Sequence, residues 1–313
     1  MTKYLTKNSL TIVTTIYNEE ENIPHFISDV KKNLKNIKNL KFDLILVDNG
    51  STDNSLNIIK NFSRKDKEIK YISLTRNFGH QGGLFAGLFH SKSQYTLTID
   101  CDLQQPLSLV PEMLEHAKKG FKIVTGFKKK EFSLLSIVKY FFYKIFSKVS
   151  GLSMQFGQSD FNMIHLDVLK YIKQIKDQRI FLRGAIEWFG FKHKKIMYKA
   201  NKRKFGVTKF SINKYFSFAL DGIIQHTFLP IRMFTILGFI LTILTLSYLI
   251  YVFCGVLFFD FVFPAGWFST ILIIGLFSSI NFIGIGILGE YIARMFEQVK
   301  DKPMFVVNEK NFK

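Results

Sequence analysis

Two long runs without a formal charge constrain this chain more than any other feature. Met233 to Phe259 is one and Phe261 to Gly289 the other, with only Asp260 between them. A helix needs about 20 apolar residues to cross a hydrocarbon core about 30 Å thick, and each run is longer than that. Core helices of soluble proteins seldom go so far without a charge. Both runs are therefore expected to cross a bilayer as a hairpin over 233–293. The short linker through Pro264 and Gly266 suits the turn, and Tyr251 and Trp267 suit the interfaces. Lys209, Lys214 and Arg232 precede the first run, Arg294, Lys300 and Lys302 follow the second, and the linker has no cation. The positive-inside rule then predicts a multi-pass protein of the inner (cytoplasmic) membrane with both long ends in the cytosol. Met1 to Glu20 lacks the apolar stretch of a signal peptide.

Composition narrows the partners. The 313 residues include 43 Lys and Arg against 24 Asp and Glu, a formal charge of +19. Because the hairpin carries only Asp260 and Glu290, the rest is more basic than that total. A hydrophobic share of 48% excludes a disordered chain. Two cysteines, Cys101 and Cys254, exclude a disulfide scaffold and argue against a cysteine-based zinc site. The positive charge calls for an anionic partner: nucleic acid, a membrane surface or a phosphorylated substrate. Nucleic acid would ask for basic residues interleaved with exposed aromatics on a soluble domain. Here the cations flank apolar runs, which favours the lipid bilayer and no nucleic acid.

The first half alternates short apolar runs with amphipathic ones. Strands are expected at Leu10 to Ile16, Asp43 to Asp48, Ile69 to Leu74, Tyr95 to Ile99 and Lys122 to Thr125. Helices are expected after Glu20, after Asp53, from Gly79 to Ser91 despite its glycines, and after Pro106 and Pro111. That order predicts an α/β domain with a mostly parallel sheet, whose ligands bind beyond the carboxyl ends of the strands. Tyr17-Asn18-Glu19, Asp48-Asn49-Gly50-Ser51 and Asp100-Cys101-Asp102 all fall at such ends. Two carboxylates flanking one residue suit a hard divalent cation with a diphosphate as co-ligand, and Gln104 can add a carbonyl oxygen. A solvated acidic turn is the plainer alternative. Asp48 can accept hydrogen bonds from a base or ribose, or simply cap the following turn. No Gly-rich phosphate loop is present, so dinucleotide oxidoreductases and P-loop NTPases lose support.

Three segments together resemble the family 2 glycosyltransferases of GT-A fold: Ile12-Val-Thr-Thr-Ile-Tyr-Asn-Glu-Glu-Glu-Asn-Ile23, Val47-Asp-Asn-Gly-Ser-Thr-Asp53 and Asp100-Cys-Asp-Leu-Gln104. Thr75-Arg-Asn-Phe-Gly79, Ser159-Asp160-Phe161, Phe181-Leu-Arg-Gly184, Arg203-x-x-Gly206-x-Thr208-Lys209 and Ala219-Leu-Asp-Gly222 are similar to its polyprenyl-phosphate branch. Ile285 to Ile292 matches the bactoprenol glucosyltransferases, and the likeness runs from about residue 10 to 303. The resemblance implies a GT-A domain over 1–210, an interfacial amphipathic helix over 211–232, the hairpin over 233–293 and a cytosolic basic tail over 294–313.

The resemblance also implies roles. Tyr17, Glu19 and Asp48 would hold the nucleotide of a nucleotide-sugar donor. Asp100, Asp102 and Gln104 would hold Mg²⁺ or Mn²⁺ against its diphosphate. Asp160 matches the family aspartate near sugar and acceptor, as base or as orienting group. Lys128, beside Lys129 and Lys130, stands where the family carries arginine. With Arg203 and Lys209 it would meet donor diphosphate and lipid phosphate. Lys here is a point charge rather than a fork, and a solvated membrane-facing patch is the alternative. Phe132 to Val149 and Tyr215 to Leu229 read as interfacial helices. No histidine is given a role. Asn49, Gln105 and Asn162 depart from the family pattern at an aspartate, an aspartate and an arginine. The implied reaction is inverting transfer of a hexose, glucose from UDP-glucose foremost, to undecaprenyl phosphate on the cytoplasmic face. Its product would be a lipid-linked donor for cell-surface glycan modification. Another sugar or acceptor, or a catalytically degenerate protein that binds lipid-linked sugar, are the alternatives. A homo-oligomer is left open.

Overall fold

A computed structural model describes residues 8–35, 37–129, 158–176, 182–201, 229–258 and 266–312. The chain divides into two compact units, Met1–Lys209 with Lys302–Lys313, and Phe210–Asp301.

The first unit is built on one mixed sheet. Its strands are β1 (Ser9–Ile16), β2 (Lys41–Asp48), β3 (Ile69–Leu74), β4 (Tyr95–Thr98), β5 (Ile123–Lys128), β6 (Gln158–His165), β7 (His193–Tyr198) and β8 (Val307–Lys310). They lie in the order β7-β5-β6-β4-β1-β2-β3-β8. The centre, β3-β2-β1-β4, is parallel, β6 runs antiparallel between β4 and β5, and β7 is parallel to β5. The expected α/β class and its mostly parallel sheet are therefore found. Helices cover both faces: α1 (Asn22–Leu34), α2 (Ser55–Lys65), α3 (Gly79–His90), α4 (Val110–Lys118), α5 (Leu166–Ile172) and α6 (Leu182–Trp188).

The apolar runs reflect burial on two sides. Leu10, Ile12, Ile16, Leu44 and Leu46 point to a core shared with Ile23, Phe26 and Val30 of α1 and Met113 of α4. Val13, Ile45 and Val47, the alternate residues, point to a second core with Leu84 and Leu88 of α3, Val168 of α5 and Ile186 of α6. In α1 the buried residues recur at Ile23, Phe26, Ile27, Val30 and Leu34, one stripe of a 3.6-residue helix.

Helix α3 forms despite its glycines because the sheet needs them. A Cβ at Gly83 would lie 2.4 Å from Thr15 Cγ2, and one at Gly87 would lie 2.2 Å from Val13 Cγ1. Spaced by four residues, the two glycines share one helix face. They let α3 settle directly on β1.

The tail 294–313 differs from its expected role. Helical structure runs on to Val299, and Val307–Lys310 becomes β8, antiparallel to β3. Thr75 N donates to Val306 O at 3.0 Å, and Met304, Phe305 and Phe312 pack on the second core. The end of the chain is thus an edge strand of the first unit.

The second unit contains α7 (Leu229–Phe258, 30 residues) and α8 (Trp267–Val299, 33 residues). At 1.5 Å per residue α7 is about 45 Å long. Among the described residues one stretch, Ile273–Ala293, is long and apolar enough to cross a membrane, where two were expected. Gly284 of α8 is buried, and a Cβ there would lie 1.9 Å from Phe234 Cζ of α7. The interfacial helix expected at 132–149 and residues 211–228 of the one expected at 211–232 lie outside the described residues, and 229–232 form the start of α7.

Gly87→Ala tests the close seating of α3. Helix propensity alone would stabilise the variant by up to about 1 kcal/mol, whereas overpacking against Val13 costs about 1–3 kcal/mol. Unfolding of the full chain in detergent is expected at a lower temperature than wild type, and a rise would contradict the packing described.

Candidate active site

The carboxyl ends of β1 and β2 are stitched together by their loops. Asn18, in the left-handed region at φ 54, donates its backbone N to Ser51 Oγ at 3.1 Å, and its Oδ1 accepts from Thr52 N at 2.8 Å. Glu19 N donates to Ser55 Oγ at 3.0 Å, and Asn54 N donates to Glu20 Oε2 at 3.0 Å. Asn18, Glu19, Glu20, Asn22 and Asp53 line a polar cavity of about 160 Å³. The Glu19 carboxylate accepts from Asn22 Nδ2 at 2.6 Å. Tyr17, half-buried, opens this loop at the end of β1.

Asp48 lies beneath the stitching, 2% exposed. Its Oδ1 accepts from Ser51 N at 3.1 Å, and its Oδ2 accepts from the Ser73 hydroxyl at 3.1 Å. The turn-capping role is thus filled. Gly50 at φ +70 passes close under the next loop, where a Cβ would meet the carbonyl carbon of Arg76 at 2.6 Å. Asn49, a departure from the family pattern, is buried and organises that loop. Its Nδ2 donates to Gly79 O at 2.9 Å, and its Oδ1 accepts from Phe78 N at 2.9 Å. Asn49 therefore fixes the start of α3, a job for which an amide supplies both a donor and an acceptor.

That start carries side chains with no role in the sequence reading. His80 Nε2 lies 3.6 Å from Asp100 Oδ1 and 3.4 Å from Asp160 Oδ2. Gln81 Nε2 donates to Asp160 Oδ2 at 3.3 Å, and its Oε1 accepts from Leu182 N at 3.3 Å. Asp160, near the start of β6, is 4% exposed. It accepts two parallel bonds from Arg183 of α6, Nε to Oδ1 at 2.8 Å and Nη2 to Oδ2 at 2.9 Å. The structure thus brings Asp100 and Asp160 together through His80, with Gln81 and Arg183 holding Asp160. Gly79-His80-Gln81 and Phe181-Leu-Arg-Gly184 follow or form matched motifs, and that adjacency is the only sequence signal for them.

Charge follows from this packing. Burial works against the Asp160 carboxylate, but the Arg183 guanidinium and the His80 ring outweigh it and hold its pKa far below the usual range. Burial likewise works against a charged His80, and Asp160 and Asp100 overturn it, raising His80 to about 8. Asp100 is pushed up to about 6, by burial first and by Asp160 and Asp102 next, with His80 offsetting. Protein walls it on most sides, yet 36% of its side chain stays exposed at the cleft mouth.

Three carboxylates here face one guanidinium and one imidazole, so the cleft is short of positive charge. Among the described residues no group of three or more His, Cys, Asp or Glu side chains is arranged to hold a metal by itself. Asp100 and Asp102 alone fit a hard cation that completes its shell with ligand oxygens, as Mg²⁺ does with substrate phosphates. Gln104 is held through its main chain, N to Asp102 Oδ1 at 3.2 Å and O from Asn201 N at 3.0 Å. Lys128 closes β5 at the same end of the sheet and is exposed. Arg203 and Lys209, expected at the site, lie outside the described residues. Asn162, the third departure, is buried in β6, where its Oδ1 accepts from the Thr125 hydroxyl at 2.6 Å.

Removing one partner of a buried ion pair costs about 3–5 kcal/mol, mostly from the charge left behind. Arg183→Leu is expected to destabilise the chain by about 3 kcal/mol on that scale. The double variant Arg183→Leu, Asp160→Leu is expected to recover much of the loss in thermal unfolding. Simple addition of the two single effects would contradict the pairing.

Known proteins resemble this chain over nearly its whole length. The model of the Glycosyl transferase family 2 matches residues 11–171. YkcC of Bacillus subtilis (strain 168), an uncharacterized glycosyltransferase, is 31% identical over 301 residues, 95% of this chain and 93% of that protein. The prophage bactoprenol glucosyl transferase homolog of Escherichia coli (strain K12) is 30% identical over 302 residues, 95% of this chain and 98% of its own. The SfII prophage-derived bactoprenol glucosyl transferase of Shigella flexneri is 29% identical over 305 residues, 96% and 97% respectively. With half its length matched by the family model and nearly all of it by such relatives, the chain belongs to glycosyl transferase family 2 and is a glycosyltransferase.

Proposed function

We propose that the enzyme moves a hexose onto undecaprenyl or another polyprenyl phosphate at the cytoplasmic face of a membrane, inverting the anomeric carbon, with UDP-glucose the first donor to test. The observation that carries this reading is the convergence of Asp100 and Asp160, with Asp102 beside them, on one cleft at the carboxyl end of the sheet. The bactoprenol glucosyl transferases among its relatives support the lipid acceptor and the glucosyl group.

In the proposed reaction an oxygen of the lipid phosphate attacks the anomeric carbon. The bond from that carbon to the donor diphosphate breaks, and the nucleoside diphosphate leaves with the electron pair. A phosphate monoester has a second pKa of about 6 and is already a nucleophile at neutral pH. No base is needed, and Asp160 suits the part poorly. Both its oxygens are engaged, and Arg183 and His80 depress its basicity. Asp160 is instead assigned to holding Arg183 and His80 in place beside Asp100. Asp100 and Asp102, with Gln104, would hold Mg²⁺ or Mn²⁺, which neutralises charge on the departing diphosphate when bound. Lys128, with Arg203 and Lys209, would meet phosphate charge. Tyr17, Glu19 and Asp48 would bound the nucleotide pocket.

Chain topology supports a two-span hairpin. Residues on both sides of the second unit belong to the first, since β8 pairs with β3. A segment that leaves one folded unit and returns to it crosses a bilayer an even number of times. The candidate Ile273–Ala293 therefore asks for a second crossing, and α7 is long enough to supply it. The small residue Gly284 under Phe234 suits close packing of two membrane helices.

Purified enzyme with undecaprenyl phosphate and Mg²⁺ is expected to release nucleoside diphosphate from a hexose donor in a donor screen. Asp102→Asn is expected to lower that turnover about a hundredfold or more with folding intact. Silence with every donor would favour the degenerate reading, and full activity of Asp102→Asn would remove the metal assignment. A reporter active only outside the cytoplasm is expected to work when inserted in the 260–266 linker and to fail after Lys313. The same outcome at both positions would contradict the hairpin, and the reverse pattern would contradict its orientation.

A further inference from the structure

We propose that Gln105 is a positioning residue for Asp100, turning its carboxylate so that a single oxygen, Oδ1, faces the cleft in which a divalent cation would be held. The inference rests on the transferase reading above. Gln105 is buried, 5% exposed, and its amide meets Asp100 twice. Its Nε2 donates to Asp100 Oδ2 at 2.7 Å, and its Oε1 accepts from Asp100 N at 3.0 Å. An amide that grips both the backbone and the carboxylate of one residue fixes that residue's rotamer. It also occupies Oδ2 with a short N–H···O bond. The other oxygen, Oδ1, lies on the side of His80 Nε2. A carboxylate held this way turns Oδ1 toward a cation, while one lone pair of Oδ2 is already taken. Groups that orient metal ligands from behind tune affinity although they never touch the metal.

The intervening loop shows that the arrangement is built. Leu103 adopts φ 61, a left-handed conformation that is strained for a bulky residue. Its side chain is held in the core, and its carbonyl accepts from Asn201 Nδ2 at 3.3 Å. The carbonyl of Gln104 accepts from Asn201 N at 3.0 Å, and Asp102 Oδ1 accepts from Gln104 N at 3.2 Å. Gln105 closes this strained loop onto its own first residue. The loop aims Asp102, and the clamp aims Asp100.

A double-mutant cycle on the full chain separates positioning from a general loop tie. Mn²⁺ affinity is read by the electron paramagnetic resonance of free Mn²⁺ at saturating UDP, with thermal unfolding as the check on folding. Gln105→Met keeps the shape without donor or acceptor and is expected to weaken Mn²⁺ binding about tenfold, the range for orienting groups. In an Asp100→Asn background the same change is expected to cost less than about twofold, because the carboxylate it serves is gone. If Gln105→Met does not fold, Gln105→Asn, one methylene too short, takes its place in the cycle. Unchanged Mn²⁺ affinity, or an equal loss in both backgrounds, would overturn the positioning role and leave the transferase reading intact. Wild-type enzyme that binds no Mn²⁺ with UDP would overturn the metal assignment itself, and this inference with it.

Discussion

The guanidinium of Arg183 grips both oxygens of a carboxylate that is almost wholly out of water, and the arrangement of the cleft depends on that pairing. Without it Asp160 would be a buried charge seeking a proton. With it the carboxylate stays ionised and immobile, and α6 is drawn to β6. Gln81 spans the same two elements, from Asp160 to the backbone of Leu182. His80 then extends the charge network to Asp100, so four separate segments of the chain converge on one cleft. The network leaves the cleft short of positive charge, which suits the divalent cation proposed for it.

Helix α3 is the mechanical centre of this arrangement. Its glycines seat it on β1, Asn49 fixes its first turn, and that turn presents His80 and Gln81. Its far end is covered by the last residues of the chain. Phe305 meets Phe85 and Phe89 edge-on with centroids 6.2 and 5.9 Å apart, and Phe312 meets His90 edge-on at 6.0 Å. The segment that returns after α8 therefore completes the packing of the helix that reaches the site.

Strands buried on both faces announce themselves as continuous apolar runs, and β1 to β5 are legible for that reason. Val307–Lys310 is not, because an edge strand reading Val-Asn-Glu-Lys, with alternate residues exposed, looks like a charged tail. The acids are legible because ligands gather at strand ends, a rule that spacing along the chain can test. His80 and Arg183 are not, since each is a single residue on a helix whose partner lies across the fold. Asn49 and Gln105 mislead in an instructive way. Judged as lost carboxylates they look like damage, but each amide donates and accepts at once, which a carboxylate cannot do. What these bonds supply is loop shape.

Attack by a lipid phosphate oxygen is the step on which the proposed reaction depends. Purified enzyme in vesicles, given a labelled nucleotide sugar, a divalent cation and either polyprenyl phosphate or the matching polyprenol, reports it through the label that enters the organic phase. Label in the lipid only when it carries the phosphate, joined with the anomeric configuration opposite to the donor's, is the predicted result. Label transferred equally to the alcohol, or only to water-soluble acceptors, would contradict it.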